Sequence, residues 1–201
     1  MASSKNIKID KKILKVTVNK AQEEQTVPVL QTDVALPDDS PARMKTLRAE
    51  GRKWYLTVVY HQNTENPFAL FCTTNHREKT AQTSGAVESL LELASQKGIL
   101  DEHIQKLVGK IEHEPNVQKL TRTISLLLRH NVSIADIVFQ LEKLEDVFAG
   151  SFLFQVKKFL SQYIKDGQSV EGATCSSCGS TNIVYSEGCS MCRDCGSSRC
   201  G

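Results

Sequence analysis

Lys53-Trp54-Tyr55-Leu56-Thr57-Val58-Val59-Tyr60-His61 is the stretch on which the fold turns. It is aromatic and β-branched, the composition of a half-buried strand. Asn63-Thr64-Glu65-Asn66-Pro67 supplies turn residues, and Phe68-Ala69-Leu70-Phe71-Cys72-Thr73 reads as a second strand. The pair predicts a β-hairpin. From about residue 82 the apolar spacing changes to a helical period. A hairpin followed by helices is an α+β pattern.

Working towards the C-terminus, five apolar stripes follow. Ala86, Val87, Leu90, Leu91 and Ala94 share one helix face, which stops at Gly98. Ile104, Leu107, Val108 and Ile111 form a second stripe, ended by Pro115. Leu120, Ile124, Leu127 and Leu128 make a third. Ser133 can cap a fourth helix, with Ile134, Ile137, Val138, Leu141 and Leu144 on its face. Phe152, Val156, Phe159, Leu160 and Tyr163 make a fifth, which runs out at Gly167. The simplest role for all five is core packing. Residues 43–166 are thus expected to form a hairpin plus a bundle of about five helices. Residues 167–174, polar and glycine-containing, are expected to be a flexible linker.

Towards the N-terminus, residues 1–42 read as a basic arm and linker. Lysines 5, 8, 11, 12, 15 and 20 alternate with isoleucine, leucine and valine, and Pro28, Pro37 and Pro41 follow.

Residues 175–201 hold six of the seven cysteines. Two thiolates spaced C-x-x-C can grip one ion, and two such turns joined by a hairpin build the four-sulfur shell that zinc prefers. Glu187-Gly188 would make the hairpin turn. A segment this short cannot bury enough apolar surface to fold alone, so metal binding would supply its folding energy. Six cysteines are two too many for one such site. Cys175-x-x-Cys178-Gly179 and Cys192-x-x-Cys195-Gly196 match as two knuckles, each with a glycine after its second cysteine, which leaves Cys189 and Cys200 spare. The other solution replaces Cys195 with Cys189 in the zinc shell and leaves Cys195 with Cys200. The spare pair is either two unpaired thiols or a redox dithiol. Cys72, inside a strand, is expected to be a buried apolar residue.

Bulk properties narrow the function. Formal net charge is only +2, which argues against a chain built as a whole to wrap nucleic acid. No apolar run is long enough for a membrane span, and the first residues lack the apolar core of a signal peptide, so a cytoplasmic protein is expected. His61, His76, His103, His113 and His130 are scattered, and no glycine-rich phosphate loop is present.

The tail, Cys175-x-x-Cys178-Gly179 … Glu187-Gly188-Cys189-x-x-Cys192-x-x-Cys195-Gly196-x-Ser198-Arg199-Cys200, resembles the cysteine-rich C-terminus of class II, adenosylcobalamin-dependent ribonucleotide reductases. Trp54-Tyr55-Leu56-Thr57-Val58 with Pro67-Phe68-Ala69-Leu70-Phe71 is similar to that family's hairpin after its catalytic barrel. Leu120 to Arg129 and Ile137-Val138-Phe139-Gln140-Leu141 resemble its next two helices. Ile7-Lys8-Ile9-Asp10-Lys11-Lys12-Ile13 looks like the start of the separate small chain found where the enzyme is split. There are departures. Ser151-Phe152-Leu153-Phe154 stands where the family often has Ser-Cys-Pro-Asp, residues 80–114 look like an added helical pair, and nothing resembles the radical-generating barrel.

The resemblance implies a non-barrel C-terminal subunit, unable to reduce a nucleotide alone. Cys189 and Cys200 (or Cys195 and Cys200) would be the dithiol that re-reduces the active-site disulfide of a separate catalytic chain. Adenosylcobalamin would belong to that chain, and a dithiol reductant would recharge the tail. The rivals are a nucleic-acid-binding zinc ribbon, with residues 116–148 as a helix-turn-helix, and a structural adaptor in which zinc only staples the tail. Against the first, Arg193 and Arg199 are balanced by Glu187 and Asp194.

Overall fold

The computed structural model describes residues 38–62, 65–75, 83–144 and 147–199. Of the basic arm and linker expected over residues 1–42, residues 1–37 lie outside the described residues, as does the centre of the turn before Pro67.

Three strands, not two, open the fold. β1 (Ala42–Ala49), β2 (Arg52–Tyr60) and β3 (Pro67–Thr74) form an antiparallel sheet in the order β1-β2-β3. Along β2, Trp54, Leu56 and Val58 alternate inward and are wholly buried, as the period-2 reading requires. β1 has no such signature. Arg43, Lys45 and Arg48 interrupt it, and only Leu47 and Ala49 are buried, so it sits at the sheet edge and its sequence looks like solvent-exposed chain. Glu50-Gly51 joins it to β2, both residues at positive φ (52° and 68°), the conformation of a two-residue hairpin turn.

Five helices follow: α1 (Ser84–Gln96), α2 (Asp101–Ile111), α3 (Asn116–Arg129), α4 (Ile134–Glu142) and α5 (Phe152–Ser161). Ser133 caps α4 by accepting from the Asp136 N–H (3.0 Å), and Ser151 caps α5 by accepting from Phe154 N–H (3.2 Å). α3 covers the outer edge of β3. The Ser125 hydroxyl accepts from Leu70 N–H (2.9 Å) and contacts the Leu70 carbonyl (3.1 Å), so an edge strand's open backbone is satisfied by a helix side chain. Phe152 stacks on Trp54 with centroids 4.7 Å apart, joining α5 to the sheet. Cys72 is buried, and burial pushes its thiol up to about 12, as befits an inert core residue.

A second small antiparallel sheet of β4 (Ile183–Ser186), β5 (Cys189–Cys192) and β6 (Ser198–Arg199) ends the described chain. The flexible linker expected before it is not found. Val170 and Ala173 are buried in the core shared with the helices, and Ser169 bridges Val184 in antiparallel fashion. Gly167 N–H donates to the Tyr185 carbonyl (2.7 Å), Tyr185 N–H to Gln168 (2.9 Å) and Val170 N–H to Ile183 (3.2 Å). The segment pairs along β4 as a partial further strand. Composition suggested a tether because small polar residues are also what a tight, hydrogen-bonded crossing uses. The described residues from 38 to 199 belong to one compact unit.

Candidate metal centre

Each knuckle is built the same way. In the first, Gly179 N–H donates back to the Cys175 carbonyl (2.9 Å) and Cys175 N–H to the Ser180 carbonyl (2.8 Å). In the second, Gly196 N–H donates to Cys192 (2.9 Å) and Cys192 N–H to Ser197 (2.8 Å). Both glycines need positive φ (74° and 73°) to close the turn, which is why the residue after each second cysteine lacks a side chain. Closed this way, the turns aim their sulfurs at one point.

Cys175, Cys178, Cys192 and Cys195 offer sulfurs that all lie within 4.8 Å of one another. Cys175 approaches Cys195, and Cys178 approaches Cys192, at 3.6 Å in each case. Ligands about 2.3 Å from a tetrahedral ion are separated by about 3.8 Å. The group could therefore hold a metal ion, and four soft thiolate donors suit zinc.

The backbone prepares these thiols unequally. N–H groups of Cys178 and Ser177 aimed at Cys175 draw its thiol down to about 6, and the Cys195 N–H likewise lowers Cys192. The Ser180 N–H favours the Cys178 thiolate, but the crowd of neighbouring sulfurs outweighs it and pushes that thiol up to about 12. Cys195, favoured by the Ser197 N–H, is also raised in the end by its neighbours. Four thiolates at this spacing repel one another, and a divalent cation is what would let all four ionise.

Asp194, between the two cysteines of the second knuckle, braces the first. Its carboxylate accepts from the Ser180 hydroxyl and from Asn182 Nδ2 (3.0 Å), bonds that hold it below the usual carboxylate range. Sequence reasoning counted Asp194 only as a charge. Its place inside C-x-x-C was the available signal, but its partners are set by the hairpin.

Cys189 stands outside the four-sulfur group. It is disulfide-bonded, whereas the other five described cysteines are free thiols. Cys200 lies outside the described residues. Cys189 opens onto a groove of about 490 Å3 walled by Lys157 and Lys158 of α5 and Glu142 of α4.

The ribbon rests firmly on the helices. Cys175, Cys192, Ile183 and Tyr185 belong to the same apolar cluster as Leu141 and Phe152. Burial, reinforced by the Glu142 charge, pushes the Tyr185 hydroxyl up. Lys97 ties the crossing segment down, with Nζ 2.7 Å from both Asp136 and Glu171. Asp136 also accepts from Glu171 N–H (3.3 Å). Burial opposes the Lys97 charge, but the two carboxylates prevail and hold its pKa above the usual value.

Among the described residues no helix is long and apolar enough to cross a membrane. No family model, no curated protein and no solved structure matches this chain.

Proposed function

We propose that the chain is a thiol–disulfide exchange subunit, of the kind that serves an adenosylcobalamin-dependent ribonucleotide reductase, with zinc held by Cys175, Cys178, Cys192 and Cys195. The division of the tail into four clustered thiols and a separately oxidised Cys189 carries this reading. The sequence resemblance supplies the enzyme class. Zinc would contribute structure, clamping both knuckles and so fixing β5, which presents Cys189.

The dithiol is Cys189 with Cys200. In its reduced form one thiolate attacks the disulfide that the partner's barrel carries after turnover, releasing one partner thiolate and forming a mixed disulfide. The second thiol attacks the mixed disulfide, so the pair ends oxidised and the partner ends with two thiols. A dithiol reductant then returns the two electrons. Because residues 167–170 pair along β4 and Val170 and Ala173 are buried in the core, delivery depends on docking of the ribbon edge itself, not on a swinging tether.

The test mixes the reduced, zinc-loaded chain with a barrel-bearing reductase chain and a dithiol reductant, and follows multiple turnover. Cys200→Ser should keep zinc stoichiometry and stop turnover after the first cycle. Undiminished turnover would leave zinc as a structural staple and favour the adaptor.

A further inference from the structure

The side chains of α2 and α3 outside the core face one another across a cleft. On α2, His103, Lys106 and Lys110 recur at helical spacing on one face. On α3, Arg122 and Arg129 lie two turns apart on the face opposite. The two rows line a cavity of about 120 Å3 whose lining includes Phe71 of β3. Four cationic side chains line it, and no carboxylate does.

Neighbouring acids reach some members of this group. Glu114 reaches Arg122 Nε at 2.8 Å, and Glu102 stands 3.9 Å from His103 Nε2. Two nitrogens of the lining, His103 Nδ1 and Arg129 Nε, are shielded from solvent without a hydrogen-bond partner. Buried polar atoms are seldom left so, and each unsatisfied one is costly. The space suits one tetrahedral oxyanion and is too small to enclose a whole nucleotide. Phe71, 43% exposed although it is a large apolar residue, sits at the mouth where an attached planar group could lie.

We propose that this α2–α3 cleft binds the phosphate group of a small ligand, with Lys106, Lys110, Arg122 and Arg129 supplying charge. The site is separate from the cysteine tail and independent of its chemistry. Arginine contributes planar paired donors to phosphate oxygens, and lysine contributes charge at the rim. Charge alone on a helix face would be a solvated surface. The concave shape and the two unsatisfied nitrogens are what distinguish this one.

Adenosine monophosphate and inorganic phosphate are suitable probes, since both are poor competitors for a thiolate-held metal. Titration of the full chain, followed by phosphorus NMR linewidth and calorimetry at low salt, should show saturable binding of both. Lys106 and Lys110 are exposed, so the K106E/K110E double variant should fold normally and weaken binding at least about tenfold. K53E/K165E, with the same change of net charge elsewhere, should bind as the parent does. Four results would overturn the proposal: no saturation by ~10 mM phosphate; adenosine binding as well as its monophosphate; equal loss in both double variants; or affinity for single-stranded DNA that climbs with length and shows a salt slope of several phosphates, the mark of an extended nucleic-acid contact.

Discussion

Two hairpins in this chain turn on the same dipeptide, and they differ in what lies beside the turn. Glu50-Gly51 joins β1 to β2 and Glu187-Gly188 joins β4 to β5, with closely similar positive φ angles. In each, the glutamate N–H is fastened to a neighbouring segment: Glu50 to the Gly150 carbonyl (3.0 Å), Glu187 to Asp166 Oδ1 (2.7 Å). Glu50 goes further, its carboxylate accepting from Phe152 N–H (3.3 Å) at the start of α5, where a negative charge complements the helix dipole. Beyond the turns the hairpins diverge. The first lies on Trp54, Leu56 and Val58, all fully buried, and apolar burial accounts for it. The second is four residues to a strand and has Ile183, Tyr185 and the cysteines. Local geometry is therefore interchangeable between the two, and the second adds a four-sulfur group that could hold a metal ion.

The largest effect should come from removing the metal. Chelation, or Cys178→Ser, should dissolve the β4–β5 amide signals in NMR while the β1–β3 signals persist, since metal binding of ~10 kcal/mol or more is the usual scale for such sites. If β4–β5 survives chelation unchanged, apolar contact with α4 and α5 is enough to hold the ribbon. Acid should act the same way. Protons compete with a metal for the thiolates, so the β4–β5 signals should fade on acidification; in the metal-free chain the lowered Cys175 thiol adds stability above its ordinary value and loses it as pH falls through about 6.

Next comes the first hairpin. Trp54→Ala leaves a cavity under Phe152 and should cost about 3–5 kcal/mol in denaturant unfolding, with metal stoichiometry unchanged. Loss of metal binding as well would mean the two hairpins are one cooperative unit through their shared core.

The clamp between them is intermediate. Lys97→Met leaves Asp136, 8% exposed at its side chain, without its cation and should cost about 1–3 kcal/mol, whereas exposed Glu171→Gln should cost about 0.5 kcal/mol or less. The lysine's pKa is raised, so its contribution is full at neutral pH and fades only as pH rises past its ordinary 10.5 and through the higher folded value.

The smallest effects compare the turns directly. Gly51→Ala and Gly188→Ala each place a side chain at positive φ, where nothing else crowds it, at about 1 kcal/mol. The first should appear as lost global stability. The second should appear as a severalfold weaker metal affinity, measured by competition with a chelator, because there folding and binding are one event.

Of the two turns only Glu187-Gly188 was legible beforehand. It is flanked by Ile183-Val184-Tyr185 and by cysteines, whereas Glu50-Gly51 follows a strand whose lysine and arginines hide its pairing. The four-sulfur group was legible to within two solutions. Spacing and the trailing glycines say where a knuckle closes, but Cys189-x-x-Cys192 has the same spacing as Cys192-x-x-Cys195. The structure places Cys195 in the group and Cys189 in a disulfide, a choice made by the register of β4 on β5.

Short-range chemistry thus settled what is local in this protein. Period-2 and period-3.6 apolar spacing set the strand and helix types, cap residues set helix starts, and thiol spacing set a tail whose cysteines could hold a metal ion. The tertiary structure decided what depends on partners distant in the chain: β1 as a third strand, residues 167–174 as a paired crossing instead of a tether, Asp194 as a brace, and the facing cations of α2 and α3. Those outcomes depend on backbone groups and charges finding complements tens of residues away, and composition within a window of ten holds no record of them.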